Sequence, residues 1–190
     1  MIGNSFQNEF KELLKPHLRS LENTAFRLTR NQLEAEDLLQ ETYYKSFKAF
    51  GQFERNTNFR AWIFKIMVNT YITAYRKSVR RPQKVSYDDL EDYHLYHNEV
   101  FEPTSANALQ PGFWDDNFDD EVRGALEKLP YYFRLVVLLC DIEGFSYQEI
   151  SHMLNVPVGT VMSRLHRGRS LLRNKLSRYA RTRGYYINQN

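Results

Sequence analysis

Apolar residues recur three and four positions apart over most of the chain, the spacing that buries one side of a helix. Phe6, Phe10, Leu13 and Leu14 trace a first stripe that stops at Pro16, and Leu18, Leu21, Ala25 and Leu28 trace a second up to Asn31. Two helices with a proline break between them are therefore predicted. Ala35, Leu38, Leu39, Thr42, Tyr43, Phe47 and Phe50 mark a third, with Glu34, Glu36 and Asp37 at its electropositive start and Gly51 just past its end. A fourth helix is predicted from Phe59 to Val79. It carries two apolar stripes, Phe59, Ile63, Ile66 and Thr70 on one side and Phe64, Val68, Tyr71 and Tyr75 on another. One stripe can face a core, which leaves the other for a different purpose.

The periodicity then lapses. Residues 81 to 118 contain Pro82, Pro103, Pro111 and Gly112 and sustain neither a helical nor a strand repeat, so a linker is expected there. Helical spacing resumes at Val122, Ala125, Leu126 and Leu129, closed by Pro130, and a further helix from Tyr131 to Asp141 ends at Gly144. Ser146-Tyr147-Gln148-Glu149 is a capping box, in which the serine and the glutamate satisfy each other's backbone N–H groups. It opens a helix from Tyr147 to Leu154. Asn155-Val156-Pro157 breaks that helix within three residues, and a long helix follows from about Val158 to Tyr179. The pattern is helix, tight turn, helix.

Charge sharpens this division. Residues 58 to 80 hold five Lys or Arg and no acid, and residues 160 to 183 hold eight and again no acid. The linker has eight acids against Arg81 and Lys84, a net of −6. The whole chain, 190 residues with a formal net charge of +3, hides this partition. The longest purely apolar run, Leu135 to Cys140, is six residues, far short of the about 20 that a membrane-spanning helix needs. No basic segment followed by an apolar stretch opens the sequence, so no secretory signal is expected. The single cysteine, Cys140, forms no internal disulfide. These features favour a cytoplasmic protein without membrane insertion.

On the last helix, with Leu165 as reference, Val161, Gly168, Leu172, Leu176 and Tyr179 fall within about 60° and form a buried stripe. Thr160, Ser163, His166, Arg167, Ser170 and Asn174 lie on the opposite side. A polar face of donors with one arginine capable of bidentate bonding suits the edges of bases in a major groove. Arg164, Arg169, Arg173 and Arg178 flank that face and suit phosphates, which orient a protein on DNA without reading sequence. The helix from Phe59 to Val79 sets Trp62, Phe64, Tyr71 and Tyr75 among Arg60, Arg76, Lys77 and Arg80, aromatics for stacking bases and cations for pairing phosphates of a single strand.

Five strings occur in order: Asp37-Leu38-Leu39-Gln40-Glu41-Thr42; Phe59-Arg60-Ala61-Trp62-Ile63-Phe64-Lys65-Ile66-Met67-Val68-Asn69; Leu129-Pro130; Gly144-Phe145-Ser146-Tyr147-Gln148-Glu149-Ile150; and Val158-Gly159-Thr160-Val161-Met162-Ser163-Arg164-Leu165-His166-Arg167-Gly168-Arg169. In this order and spacing the chain resembles the extracytoplasmic-function group of bacterial RNA polymerase sigma factors, in the sigma-70 family. The resemblance implies an all-α fold of two small helical domains joined by a flexible acidic linker, the second a four-helix helix-turn-helix domain. Residues 1–81 would be a region-2-like domain, 82–118 the linker, 119–183 a region-4-like domain and 184–190 a tail. It further implies that Asp37, Gln40, Glu41 and Lys48 dock on core RNA polymerase. Arg55, Asn56, Thr57 and Asn58 would form a loop capturing an unpaired base of the minus-10 element, with Trp62, Asn69, Tyr71, Arg76, Lys77 and Arg80 beside it. Thr160, Met162, Ser163, Arg164, His166, Arg167, Arg169 and Arg173 would bind the minus-35 element, although Met162 and His166 are not strong donors to guanine. An anti-sigma factor is an expected partner, and no cofactor is implied.

Other chemistries lack a scaffold in the sequence. Asp88, Asp89, Asp115 and Asp116 could hold Mg²⁺ for nuclease work, but they sit in the aperiodic acidic stretch. His94 and His97 have no further ligand at zinc spacing, and no glycine motif cradles phosphate. Neither catalytic nor metal-binding residues are therefore expected. The alternative to a sigma factor is a stand-alone helix-turn-helix regulator whose N-terminal half senses a ligand or dimerises.

Overall fold

The computed structural model describes residues 2–79 and 119–185, with side chains described from Phe6 to Lys77 and from Asp119 to Tyr185. The predicted linker over 82–118, the end of the predicted tail, and Arg80 and Arg81 lie outside the described residues. The chain divides into two compact units, and every regular element among the described residues is helical.

The first unit contains α1 (Ile2–Leu14), α2 (Leu18–Thr29), α3 (Gln32–Ala49) and α4 (Phe59–Val79). Pro16 sits at the start of a 3-10 turn, Lys15–His17, between α1 and α2. Arg30 takes the left-handed conformation, φ 60°, and its N–H donates to the Phe26 carbonyl at 2.7 Å, ending α2. Asn31 then caps α3, its side-chain oxygen accepting the Glu34 N–H at 3.2 Å. The predicted acids add a favourable charge, but the hydrogen bond that starts the helix is the asparagine's. Gly51 does not provide a left-handed stop; α3 tightens into a 3-10 turn over Phe50–Gln52, and the Phe53 N–H donates to the Phe50 carbonyl.

Both apolar stripes of α4 are used within this unit. Phe59 and Ile63 on one side and Phe64, Val68 and Tyr71 on the other are all buried, because α2 and α3 both pack against α4. The expectation that one stripe is left for another purpose is corrected: both stripes are largely buried, and the side left exposed is the polar one of Lys65, Asn69, Thr73 and Arg76. Phe10, Phe50, Phe53, Phe59 and Trp62 meet at ring separations of 5.1 to 6.4 Å, half of the pairs edge to face and the others tilted or stacked, arrangements that add quadrupolar attraction to apolar burial. The buried hydroxyls of Thr42 and Ser46 return to helix carbonyls, of Leu38 at 2.7 Å and Tyr43 at 3.0 Å.

In the second part of the chain, α5 (Asp120–Glu127), α6 (Tyr131–Val137) and α8 (Val158–Thr182) pack together, and α7 (Tyr147–Leu154) leads into the turn before α8. The predicted helix to Asp141 does not stay α-helical. From Leu138 to Ile142 it widens into a π turn, with the Glu143 N–H donating to the Leu138 carbonyl at 2.9 Å. Gly144, φ 72°, then reverses the chain. The capping box forms as predicted: the Glu149 N–H donates to Ser146 Oγ at 3.2 Å and the Ser146 N–H donates to Glu149 Oε2 at 2.9 Å. Asn155, φ 52°, makes the turn, and the Thr160 N–H donates to the Pro157 carbonyl at 2.9 Å as α8 begins. Near the far end of α8, Tyr179 donates to Asp119 and Arg183 pairs with the same carboxylate at 2.8 Å, fastening the entry of α5 to α8.

Candidate DNA-binding and polymerase-binding faces

The turn and capping box hold α8 so that Val161, Leu165 and Gly168 are buried while Met162, Ser163, His166, Arg167, Ser170 and Asn174 are exposed. Thr160 is half-buried, and its carbonyl accepts from Ser163 Oγ at 3.0 Å. Met162, 52% exposed, is the one large apolar side chain on this polar face. Gly168 marks the closest approach to α6: a Cβ there would stand 2.9 Å from Val137 Cγ2 and 3.3 Å from Phe133 Cβ.

The flanking arginines differ among themselves. Arg173 and Arg178 are exposed. Arg164 is half-buried with its guanidinium 4.7 Å from the centre of the Tyr132 ring, a cation–π contact. Arg169 donates from Nε to Asp141 Oδ2 at 3.1 Å and from Nη2 to Asp141 Oδ1 at 2.5 Å. This forked bond to the carboxylate holds the guanidinium even more firmly protonated than usual. Both residues were expected on phosphates; in the free chain Arg164 lies against an aromatic face of α6 and Arg169, itself exposed, pairs with a carboxylate of the π turn.

On α3, Asp37, Gln40, Glu41 and Lys48 are all exposed. Glu41 pairs with Lys45 at 3.0 Å, and Lys48 lies 5.1 Å over the Tyr44 ring. The same face includes three apolar residues that the sequence reading did not select for it: Leu33 at 67% exposure, Tyr44 at 60% and Phe47 at 37%. At 100° per residue, positions 33, 37, 40, 44 and 48 share a band of about 80°. The repeat was visible in the sequence, but Leu33 and Tyr44 lie off the stripe used to define the core. Tyr43, one residue round the helix, is half-buried, and burial pushes its hydroxyl up to about 12.

The loop before α4 is held from within. Arg55 donates to both carboxylate oxygens of Glu9, at 3.0 and 3.2 Å, and to the carbonyls of Phe50 and Phe53 at 3.3 and 3.0 Å, while lying 4.6 Å over the Phe50 ring. The arginine holds the Glu9 carboxyl below its ordinary range. Arg55, expected among the base-capturing residues, is exposed and in the free chain ties this loop to α1. Asn56 adopts φ 68° at the loop's tip, and Thr57 Oγ1 donates to the Glu54 carbonyl at 2.6 Å. Asn58 caps α4, its Oδ1 accepting the Ala61 N–H at 3.0 Å. Asn56, Thr57 and Asn58 are exposed and Trp62 is half-buried against Phe53 and Phe59. Asn69, Arg76 and Lys77 are exposed on α4. Tyr71 is not: it is 8% exposed and donates its hydroxyl to the Leu28 carbonyl at 3.1 Å. Its expected place beside an unpaired base is corrected to one in the core.

Among the described residues no group of three His, Cys, Asp or Glu is placed to hold a metal ion, and no helix is long and apolar enough to cross a membrane. His94, His97, Asp88, Asp89, Asp115 and Asp116 lie outside the described residues. Cys140 is half-buried, and burial raises its thiol pKa.

Comparison with known proteins bears on both halves. The sigma-70 region 2 family model matches residues 13–81 and the sigma-70 region 4 model matches residues 119–172. The ECF RNA polymerase sigma factor SigE of Mycolicibacterium smegmatis is 36% identical over 89% of this chain, which spans 62% of that protein's length. The ECF RNA polymerase sigma-E factor of Salmonella typhimurium is 32% identical over 74% of this chain and is covered over 72% of its own length. Among solved structures, the sigma factor RpoE of Bartonella quintana, determined in complex with the anti-sigma factor NepR, superposes with a TM-score of 0.66 at 27% identity, covering 89% of this chain and 97% of that one.

Proposed function

Because the chain belongs to the extracytoplasmic-function group of the sigma-70 family, we propose that it directs core RNA polymerase to specific promoters and promotes melting of their minus-10 DNA. The observation that carries this reading is the pairing, in one chain, of an exposed polar face on α8 behind a capped helix and tight turn with the region-2 unit. A stand-alone helix-turn-helix regulator does not account for the region-2 match over residues 13–81.

In this account, Met162, Ser163, His166 and Arg167 face the minus-35 bases, and Arg173 meets a phosphate. Asn56, Thr57 and Asn58, on a loop clamped by Arg55, receive an unpaired minus-10 base with Trp62 and Asn69 nearby, and Arg76 and Lys77 pair with the strand's phosphates. The α3 face around Asp37, Gln40, Glu41 and Lys48 docks on core polymerase, with Leu33 and Tyr44 supplying the apolar area that charged residues alone do not. The protein works in the cytoplasm as a binding and positioning factor, not an enzyme. The structure of the Bartonella relative with an anti-sigma factor supports a similar partner here. The two domains span about residues 1–81 and 119–183.

Promoter variants and salt separate the two kinds of contact. Arg167→Ala is expected to cost about 1 to 3 kcal/mol of minus-35-dependent initiation and to relax base preference at one position. Arg173→Ala is expected to weaken binding for all sequences and to reduce the salt slope by about one. An Arg167→Ala protein with the parent's promoter preference removes the assignment of this face to base reading.

A further inference from the structure

We propose that Arg169 acts as a positioning residue for α8: its fork onto Asp141 sets the angle at which the recognition helix leaves the α6 packing, so that the helix does not spend this arginine on a DNA phosphate. The inference rests on the reading of α8 as the minus-35 helix. It is carried by three observations that concern a single junction.

Gly168 is the first. With only 2.9 Å between Val137 Cγ2 and the place a Cβ would occupy, α8 touches α6 there at nearly backbone distance. A single close contact of this kind fixes position but not angle, because a helix can still tilt about it. The second observation is the neighbouring residue. Arg169 reaches along α6, past Val137, to the carboxylate four residues further on, and makes two hydrogen bonds to it at 3.1 and 2.5 Å. A planar fork on a carboxylate constrains direction as well as distance.

The third observation explains why a carboxylate stands there. Asp141 lies within the π turn Leu138–Ile142, whose wider winding alters the direction of every side chain after Val137 relative to a regular helix. Such turns interrupt helices at a cost and occur frequently at functional sites. Here the turn's product is the placement of Asp141 against Arg169.

The geometry gives the junction leverage. At about 1.5 Å per residue, Met162 lies about 9 Å and Val158 about 15 Å along α8 from Gly168. A tilt of about 10° around Gly168 moves those positions by about 1.6 and 2.6 Å. Hydrogen bonds to bases tolerate only a few tenths of an ångström beyond about 3.2 Å. Releasing the strut is therefore expected to degrade base reading even though neither of its partners touches a base.

The test uses the full-length chain assembled with core RNA polymerase, on a promoter with an intact and a scrambled minus-35 element, over a range of salt. The variants are Arg169→Ala, Asp141→Asn, Asp141→Ala and the double Arg169→Ala with Asp141→Ala, each checked for parental helicity and thermal unfolding. The proposal predicts that each single variant weakens minus-35-dependent binding by about five- to tenfold, the size of one impaired base contact. The double variant is expected to be no worse than either single, and the salt slope to stay at the parent's value. A merely structural pair would lower the unfolding temperature without separating intact from scrambled promoters. If the Asp141 variants bind as the parent does while Arg169→Ala lowers the salt slope by about one, Arg169 is a phosphate contact and the proposal is overturned. If the parent itself does not distinguish the scrambled element, the reading of α8 fails and takes this inference with it. If it does distinguish it but the variants all match the parent, only the inference fails.

Discussion

Replacing Gly168 with alanine sets two helix effects against each other at one atom. Glycine inside a helix costs about 1 kcal/mol relative to alanine, so at an open site the change would stabilise α8. At this site the new methyl would stand 2.9 Å from Val137 Cγ2, 3.3 Å from Phe133 Cβ and 3.4 Å from the Phe133 carbonyl oxygen. None of the three can move cheaply. The valine is β-branched and held to one rotamer in a helix, and the other two atoms belong to, or are bonded to, the α6 backbone. The helices must part, loosening the packing of Leu165 and Val161, about one and two turns earlier on α8, which are among the most buried residues of this part of the chain. Overpacking of this kind costs about 1 to 3 kcal/mol, and the rigid neighbours place it in the upper half of that range. After the gain in helix propensity, a net loss of about 1 to 2 kcal/mol is expected. For a unit of this size each kcal/mol corresponds to about 4 to 8 °C in unfolding temperature. Thermal and urea unfolding of the full chain, followed through far-ultraviolet circular dichroism, measures it. A Gly168→Ala protein as stable as the parent, or more so, would refute the close crossing of α6 and α8.

Three further outcomes concern the first unit. Glu41→Lys removes an ion pair whose partners are both about half exposed, so stability should change by less than about 0.5 kcal/mol, yet competition for core polymerase should fall; an unaltered competition curve removes α3 as the docking face. Leu38→Ala, at a site 6% exposed, should instead cost about 2 to 5 kcal/mol in denaturant unfolding, and a loss well below 1 kcal/mol would contradict its place in the core. Glu9 bears on pH: its carboxyl pKa is lowered by Arg55 in the folded chain, so the clamp is intact above the ordinary carboxylate value of 4.5 and is lost as pH falls through the lower folded value. Amide exchange at Thr57 and Trp62 should accelerate, relative to the unfolded chain, below that window and in Glu9→Gln at neutral pH; equal protection in Glu9→Gln would show that the ion pair does not hold the loop.

Helix positions were legible in the sequence because their stops are local: Pro16, Pro130, the Ser146 capping box and the Asn155 turn each act within a few residues. The faces of α8 were legible for the same reason, since one stripe of a single helix fixes which side is buried. What escaped was decided by neighbours distant in sequence. Tyr71 reads as one aromatic among cations until α2 supplies the Leu28 carbonyl 43 positions away. Arg55 reads as a base-capturing residue and Arg169 as a phosphate contact until Glu9 and Asp141, 46 and 28 positions away, pair with them. The π turn has no local signature: Leu138, Leu139 and Cys140 continue an apolar run that suits an α-helix equally well, and Asp141 alone does not announce a change of winding. Leu33 and Tyr44 escaped for the opposite reason: they are large apolar residues left mostly exposed on the polar side of α3, off the stripe that defines the core.

Promoter opening tests the central claim most directly. A duplex promoter with a fluorescent base analogue in its minus-10 element is mixed with the chain alone, with core RNA polymerase alone, and with both. The account predicts unstacking fluorescence only when both are present, abolished by scrambling the minus-35 element and weakened by Glu41→Lys through lost assembly. Tight binding of the duplex by the chain alone, with no opening after core polymerase is added, would contradict it.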